Sequence, residues 1–286
     1  MEFETAVEPS IQARRSVPSQ GFIATSALAS AVGVVAAEFV DRVGLAVAGA
    51  MAERQPVLYH NRVEFTAPGS DLALAGGLVA ALLVGAFFLM LYPASRRYDG
   101  ARLTVLWVVL HCFRKGFTEL TAVAVSDTSN GAMAYAALDV PVGLDLVLGV
   151  AGVVGLLSVA LAAAAAFLAY ARRESDISTP PRRFLFVVRI ALIPGIAGPL
   201  IAIPSFLPDA GTGFVQTLPT IGLFTVATVL AALGTRSVQV YDQGGTQGFS
   251  WVPVAWLVVM ILVSQLALRR GVFVPPDLGA PLADPW

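Results

Sequence analysis

Two apolar segments of the chain carry side chains of the types that can bind protons, metals or other ions. The first contains "AAEFVDRVG", with Glu38, Asp41 and Arg42, and the second contains "HCFRKGFTEL", residues 111–120. Charged groups inside an apolar segment of membrane length are costly, and they pair with one another or serve a function. The candidate polar centre comprises Glu38, Asp41, Arg42, His111, Arg114, Lys115, Glu119 and Asp127.

The spacing of these residues places them on two helix faces. Glu38 lies three residues before Asp41 and four before Arg42, so the three side chains share one face of a helix. In the second segment a ladder of His, Lys and Glu in four-residue steps runs over 111–119. We therefore expect the charged face of the first helix to lie against that of the second.

The candidate centre holds four carboxylates against three Arg or Lys side chains. This near balance is typical of a buried ion-pair network that fixes how helices assemble. Breaking one pair in such a network costs on the order of 3–5 kcal/mol. The surplus carboxylate leaves the alternative of a proton, metal or substrate site, because structural networks and functional sites share these features.

The elements that hold these residues are predicted to be membrane-spanning helices. The chain is 57% hydrophobic and 13% charged, whereas a soluble domain has about 25% charged residues. A helix needs roughly 20 mostly apolar residues to cross a bilayer. The sequence thus predicts an all-α polytopic membrane protein with about seven transmembrane helices. The corresponding windows are 22–50, 72–93, 102–125, 143–171, 184–206, 214–235 and 251–269.

The chain divides into four predicted parts. A membrane core occupies residues 21–171, and additional membrane helices occupy 172–270. We expect the N-terminal tail, 1–20, to be disordered and the Pro-rich C-terminal tail, 271–286, to be irregular. Between the first two spans, "QPVLYHNRVEFTAPG" predicts a small β-hairpin, with an ordinary interfacial loop as the alternative.

Arginines in the short loops predict the orientation of the chain in the membrane. They cluster in the second and fourth loops and are absent from the third and fifth, which places the N-terminus in the cytoplasm. Arg269 and Arg270, after the last span, go against the rule. The preference for Arg over Lys, with abundant Ala, Val and Gly, is typical of a GC-rich prokaryotic genome. We therefore expect a multi-pass protein of a prokaryotic plasma membrane.

Small residues and prolines predict how the helices pack. Small residues at four-residue spacing let helix backbones approach closely in lipid. Span five, "FLFVVRIALIPGIAGPLIAIPSFLP", carries three Pro inside its apolar run and is expected to kink or break. The two small-residue stripes are Ala73, Gly77, Ala81 and Gly85 in the second span, and Ala151, Gly155, Val159 and Ala163 in the fourth.

The order of these features resembles that of the site-2-protease-like (M50-like) intramembrane metalloproteases, over roughly residues 25–170. In that family a helix with H-E-x-x-H precedes a β-hairpin and a span with a run such as "LAGP". A third span then leads to an Asp that completes the zinc site. Here "AEFVD" at 37–41 takes the place of H-E-x-x-H. The hairpin segment follows, then "LALAGGL" at 72–78, and the third span leads to Asp127.

The zinc motif itself is altered in this chain. If Glu38 corresponds to the catalytic glutamate, Ala37 and Asp41 replace the two zinc-binding histidines. The remaining ligands would be Asp41, Asp127 and His111, a set whose carboxylates suit Mg²⁺ or Ca²⁺ better than zinc. The resemblance therefore implies a pseudo-peptidase without a cofactor. Glu38 would be catalytic only if a site for zinc or another divalent metal survives.

Composition and motifs exclude several function classes. A net charge of −1 gives no electrostatic case for nucleic-acid binding. The last span lacks the Lys of a retinal pigment, and one His within the spans excludes a bis-His haem in a single chain. We favour a non-catalytic protein whose partners are the lipid bilayer and other membrane proteins. The alternative is an ion- or proton-coupled transporter that uses Glu38, Asp41 and Glu119, with span five as a broken helix.

Overall fold

The computed structural model describes residues 18–93, 99–138, 141, 143–207, 212–235, 240 and 248–275, and this part of the chain is mostly helical. Within it, five helices are long and apolar enough to cross a membrane, and Val252–Ala267 is a shorter apolar helix. These findings agree with the predicted class of all-α membrane proteins. Most of the two predicted tails, and residues 94–98 of the second loop, lie outside the described residues.

The described elements follow one another in a simple order. The helices are α1 (Gln20–Met51), α2 (Ala75–Leu91), α3 (Asp99–Ala122), α4 (Asn130–Ala136), α5 (Leu144–Leu168), α6 (Pro180–Val187), α7 (Ile193–Ala202), α8 (Thr212–Gly234) and α9 (Val252–Ala267). The strands are β1 (Pro56–Leu58), β2 (Val63–Phe65) and β3 (Val272–Phe273). Short 3₁₀ turns occupy Asp71–Leu74, Glu174–Ile177 and Ile203–Phe206, and a π-helical segment, Val188–Leu192, joins α6 to α7.

Helix α1 is the centre of the packing. Ser19 caps its N-terminus, where the Ser19 hydroxyl accepts a hydrogen bond from the Phe22 N–H. Most of its buried positions are Ala, Ser, Gly or Val, and it packs against α2, α3, α7 and α9. Because small side chains cover several of its faces, α1 can be approached by four neighbours while carrying charged residues in its second half.

The small-residue stripe predicted for the second span forms the buried face of α2. Gly77, Ala81 and Gly85 are its buried residues, and Ala73 is buried in the turn before it. Large side chains such as Phe87 are exposed on the opposite side, as expected for a surface that faces lipid. The sequence pattern therefore identified the packed face of this helix correctly.

The stripe predicted for the fourth span is wrong at its first position. Ala151 is exposed, whereas Gly149, Gly152, Ala160 and Ala163 are buried on α5. A helix has 3.6 residues per turn, so a strict four-residue stripe rotates around it by about 40° at every step. Ala151 therefore falls outside the buried face of α5, whereas Ala163, at the end of the predicted stripe, lies on it.

Strand β1 is the middle strand of a three-stranded sheet with the order β2–β1–β3. Val57 pairs antiparallel with Glu64 of β2 on one side and with Phe273 of β3 on the other. The expectation that the chain is irregular from residue 271 is therefore wrong for Val272–Phe273. An exposed strand edge offers unpaired N–H and C=O groups, and the segment after α9 pairs with them.

Helices α1 and α9 run in the same direction. At their N-terminal ends, the Ser250 N–H donates to Thr25 Oγ1 at 2.8 Å. At their C-terminal ends, the strand that follows α9 pairs with the strand that follows α1. These contacts place Arg269 and Arg270 on the same side of the helix bundle as β1, although they go against the rule for basic loops.

The fifth span is helical without a gap from Pro180 to Phe206, although its prolines predicted a kink or break. The irregularity is a change of helix type, with a π-helical segment at Val188–Leu192 and a 3₁₀ turn at the end. Pro194 has no N–H, so the carbonyl of Ile190, four residues earlier, loses its usual α-helical donor. The Ser26 hydroxyl of α1 donates to this carbonyl at 2.6 Å, which joins the π-helical segment to α1.

Candidate functional site

Lys115 of α3 lies at the centre of a cluster of carboxylates. Its Nζ is 3.5 Å from Glu38 Oε2, 3.5 Å from Asp41 Oδ2 and 3.8 Å from Glu119 Oε1. Lys115 is only 9% exposed, and Glu38 and Asp41 are each 6% exposed. One cation thus neutralises carboxylates from both helices, at the place where the two charged faces meet.

Arg42 extends this cluster towards the loop after α1. Its Nη2 lies 3.9 Å from Glu38 Oε2, and its Nη1 donates to the carbonyl of His60. Its guanidinium also lies 5.2 Å from the centre of the Phe206 ring. Arg42 therefore joins the ion-pair network to the segment between β1 and β2 and to the turn after α7.

Glu119 extends the cluster in the opposite direction along α3. Its Oε2 accepts a hydrogen bond from the N–H of Gly131, in the first turn of α4, at 3.4 Å. The sequence analysis did not predict α4, which Ser129 caps by accepting the Ala132 N–H. A carboxylate at a helix N-terminus is stabilised by the free N–H groups and by the helix dipole. Glu119 thus holds α4 against the network.

Arg114 is buried beside the cluster but points to a different helix. It is 1% exposed, and its Nη1 donates to Thr220 Oγ1 of α8 at 2.9 Å. Its Nε and Nη2 have no hydrogen-bond partner among the described residues. Its charge still interacts with Glu38 and Glu119. Arg114 is therefore a buried cation whose local hydrogen bonding depends on one hydroxyl.

Replacing Thr220 with Val is expected to lower the free energy of unfolding by roughly 1.5–3 kcal/mol, because the variant removes a hydrogen bond to a buried charged group. Thermal unfolding in detergent measures the change. Thr228→Val is the control in the same helix, since the Thr228 hydroxyl is more deeply buried than that of Thr220 but donates only to the carbonyl of Phe224. Equal losses in the two variants would contradict a special role for Thr220.

His111 lies apart from the carboxylates that its spacing suggested as neighbours. Its Nε2 is 3.2 Å from Ser30 Oγ of α1, and its ring stacks on Trp107 with the ring centres 5.4 Å apart. The Trp107 Nε1–H donates to Ser26 Oγ, four residues before Ser30. His111 and Trp107 therefore belong to a packed contact of α3 with the hydroxyl-bearing face of α1.

Asp127 does not join the polar centre, so its predicted place there is wrong. Helix α3 ends at Ala122, and Asp127 lies in the following turn with its side chain exposed. The prediction ended the third span at residue 125, with Asp127 just beyond it, whereas the helix ends at Ala122 and the chain turns towards α4. The proposed ligand set of Asp41, Asp127 and His111 is therefore dispersed. Within the described residues, no group of three or more His, Cys, Asp and Glu side chains could hold a metal ion.

Without Asp127, the buried charges of the centre balance. Three carboxylates, Glu38, Asp41 and Glu119, face three cations, Arg42, Arg114 and Lys115, so the formal net charge is zero. The fourth carboxylate, which allowed a proton or metal site as an alternative, is that of Asp127, and its side chain is exposed. The arrangement can hold helices in a fixed register, and each charge has an opposite charge nearby.

No family model matches the chain, and neither a curated protein nor a solved structure matches it. The function of the centre therefore has to follow from its own residues.

Three hydroxyl residues that contact the predicted centre or its neighbours were not predicted from the sequence: Thr220, Ser26 and Ser30. Thr220 is one hydroxyl in an apolar span, and nothing near it in sequence indicates a charged partner. Ser26 and Ser30 are more informative, because they are four residues apart and hence on one face of α1. From that spacing a second polar contact of α1, separate from the charged one, could have been predicted. In the structure this is the contact with His111 and Trp107 of α3.

Proposed function

We propose that this chain is a non-catalytic, polytopic membrane protein that acts through other membrane proteins. The observation that carries the proposal is the position of Lys115 Nζ, within 3.8 Å of three carboxylates. On the M50-like proposal, a primary amine stands where a metallopeptidase would hold its metal ion. Each of the three neighbouring carboxylates is engaged in an ion pair with this amine, which supports a structural role for the cluster.

We propose in addition that the M50-like resemblance describes a pseudo-peptidase. The order of a charged helix, a loop with strands, a small-residue span and a second charged helix supports this relationship. On this resemblance, Ala37 and Asp41 replace the zinc-binding histidines. Both are buried in α1, whereas Asp127 is exposed in the turn after α3. On this proposal, cations replaced the metal as the counter-charge of the carboxylates.

The proposed topology has seven membrane crossings and a cytoplasmic N-terminus, in the plasma membrane of a prokaryote. The crossings would be α1, α2, α3, α5, the continuous unit of α6 and α7, α8 and α9. Seven alternating crossings require α1 and α9 to run in the same direction, as the contacts at both of their ends indicate. The apolar lengths support most of these crossings, and α3 is apolar apart from its charged face.

The test of the function compares the wild type with Glu38→Gln. This variant keeps the shape of the side chain, and Lys115 retains Asp41 and Glu119 as partners. We expect both proteins to purify without stoichiometric metal, to show no flux driven by a pH gradient in proteoliposomes, and to retain the same cross-linked membrane proteins in cells. Metal content is measured by mass spectrometry, flux by a pH-sensitive dye, and partners by in-cell photo-crosslinking.

Two outcomes would overturn the proposal. Stoichiometric metal that disappears in Asp41→Ala would indicate a surviving metal site and would call for peptidase assays. Flux in the wild type that Glu38→Gln abolishes would favour the ion- or proton-coupled transporter, with Glu38, Asp41 and Glu119 as the titrating groups. Glu38→Gln also has to melt at a temperature close to that of the wild type, because only then does a lost activity report chemistry.

A further inference from the structure

The fifth span carries a cation among the apolar residues of its exposed side. Four apolar residues of this side are about half exposed: Leu185, Ile193, Ile196 and Leu200. Arg189 falls between Leu185 and Ile193, four residues from each, and is partly exposed. Residues at three- and four-residue intervals share one face of a helix. Because the span is apolar and long enough to cross a membrane, this face is the one that lipid covers.

The guanidinium of Arg189 has no hydrogen-bond or ion-pair partner among the described residues. Charged groups in a membrane span pair with another group or extend to the polar surface of the bilayer. Long side chains of a helix point back towards its N-terminus, which for this span is the end at Pro180. The group that neutralises Arg189 is therefore expected outside the protein, at the level where the fifth span begins.

Four more arginines lie at this level: Arg172, Arg173, Arg182 and Arg183. None of them pairs with a carboxylate among the described residues. The guanidinium of Arg182 donates to the carbonyl of Ser175 at 2.7 Å. That of Arg183 donates to the carbonyls of Ile177 and Leu233, each at 3.4 Å. Carbonyl groups carry no net charge, so the positive charge of these arginines stays uncompensated.

The basic segment formed by residues 172–189 contains few carboxylates. Five Arg against one Asp and one Glu give it a formal net charge of +3. Asp176 accepts the N–H of Arg173 at 3.1 Å, and Glu174 is exposed. By contrast, Arg54 and Arg62, in the segment after α1, each pair with a carboxylate. The basic segment thus differs from the other loop in needing an anion from outside.

The position of the basic segment narrows the kind of anion. Guanidinium groups bind phosphate through two parallel N–H donors. Clusters of four to eight basic residues beside a membrane span are typical of sites for anionic lipids. The exposed arginines of the loop would also suit an acidic soluble partner, but Arg189 lies beside Leu185 on the side that lipid covers. A lipid phosphate is the anion that can contact both parts of the segment.

We propose that the basic segment binds the phosphate group of an anionic phospholipid, with Arg189 as a direct contact and the loop arginines as its electrostatic surroundings. The acyl chains of this lipid lie against Ile193 and Ile196. The site shares no residue with the Lys115 cluster. It can therefore fail while the proposed function stands, and the reverse also holds.

The experiment uses the full chain in phosphatidylcholine liposomes with a small fraction of phosphatidylglycerol that carries a diazirine on an acyl chain. After illumination, mass spectrometry of peptides locates the labelled residues, and phosphatidylcholine with the same diazirine gives the reference. We expect saturable labelling between Leu185 and Leu200 that is several-fold stronger with the phosphatidylglycerol probe. Arg189→Gln should lower this labelling about fivefold at a sub-saturating probe concentration, which corresponds to about 1 kcal/mol per arginine. Arg189→Lys keeps the charge and should retain most of the labelling.

Arg269→Gln is the matched control for the loss of a positive charge. The ring of Tyr170, just before the basic segment, lies 5.8 Å from that of Phe22 at the start of α1. Arg269 is exposed after α9, on the side of β1 and hence at the other end of α1. Labelling between residues 185 and 200 should therefore equal that of the wild type. Melting curves of all variants show whether the fold is intact.

A competition on the wild-type protein tests the lipid as the source of the phosphate. Inorganic phosphate should lower the labelling no more than sodium chloride of the same ionic strength does. A specific loss with inorganic phosphate would assign the arginines to a free anion and overturn the proposal. Equal labelling by the two lipid probes, or undiminished labelling of a folded Arg189→Gln, would also overturn it and leave the loop to an acidic soluble partner.

Discussion

Replacing Lys115 with Met is expected to lower the free energy of unfolding by about 3–5 kcal/mol, the cost of leaving a buried charge without its partner. The variant keeps most of the side-chain volume and removes the cation that Glu38, Asp41 and Glu119 share. Three carboxylates, of which Glu38 and Asp41 are buried, would then face each other with only Arg42 and Arg114 nearby. Thermal or denaturant unfolding in detergent micelles measures the loss.

The control for Lys115→Met is Arg62→Met. Arg62 pairs with Glu64 at 2.6 Å, but both side chains are 46% exposed. An exposed ion pair contributes about 0–1 kcal/mol, so this variant should melt close to the wild type. If Lys115→Met also stays within about 1 kcal/mol of the wild type, the cluster does not depend on its central cation.

A compensated variant distinguishes lost charge pairing from lost packing. Combining Lys115→Met with Asp41→Asn removes one cation and one of the carboxylates it neutralises, so the formal charge of the centre stays at zero. Buried ion pairs replaced as a whole are often tolerated, whereas the loss of one partner is not. The double variant should therefore recover a large part of the stability that Lys115→Met loses. Additive losses would indicate that packing, and not charge, holds the two helices together.

The sequence predicted those features that depend on spacing within one helix. The three- and four-residue intervals around Glu38 placed its neighbours on one face, and α1 and α3 do meet through these faces. The small residues of α2 marked its buried side, and the prolines of span five marked a helix of irregular type. Each of these patterns reflects helix geometry or the missing N–H of Pro, which act locally.

The features that the sequence did not predict depend on contacts between distant segments. The partner of Arg114 is Thr220, and the donor to the carbonyl of Ile190 is Ser26. The residues around a single hydroxyl in an apolar span form no pattern from which such a partner could be predicted. Strand β3 is similar, because two residues become a strand only when the edge of β1 is beside them. The position of Asp127 was predicted wrongly for a similar reason. Helix α3 ends at Ala122, where the chain turns towards α4, and the sequence did not predict α4.

Helices α1 and α2 approach each other closely beside the ion-pair network. A Cβ on Gly44 would collide with the carbonyl oxygen of Gly76 and with the Cβ of Ala80, and a Cβ on Gly76 would meet the carbonyl oxygen of Gly44. A Cβ on the next residue, Gly77, would collide with the carboxylate of Asp41. The two helix backbones thus touch beside the charged turn of α1, and only glycine fits at these positions.

Gly44→Val is therefore expected to destabilise the protein by about 3 kcal/mol, the upper part of the usual range for overpacking, because a backbone carbonyl cannot rotate away as a side chain does. Separation of α1 from α2 would also expose Asp41, so the variant should exchange buried amides of both helices faster in hydrogen–deuterium exchange.

Gly222→Val in α8 is the matched substitution, since a Cβ at Gly222 has no atom within 4 Å. Gly and Val differ in helix propensity by only about half a kcal/mol, so this variant should be nearly neutral. A similar result for Gly44→Val would mean that α1 and α2 can separate without cost. The ion pairs of Lys115 would then have to hold the two charged helices together without the help of α2, and Lys115→Met should in that case cause the larger loss of the two.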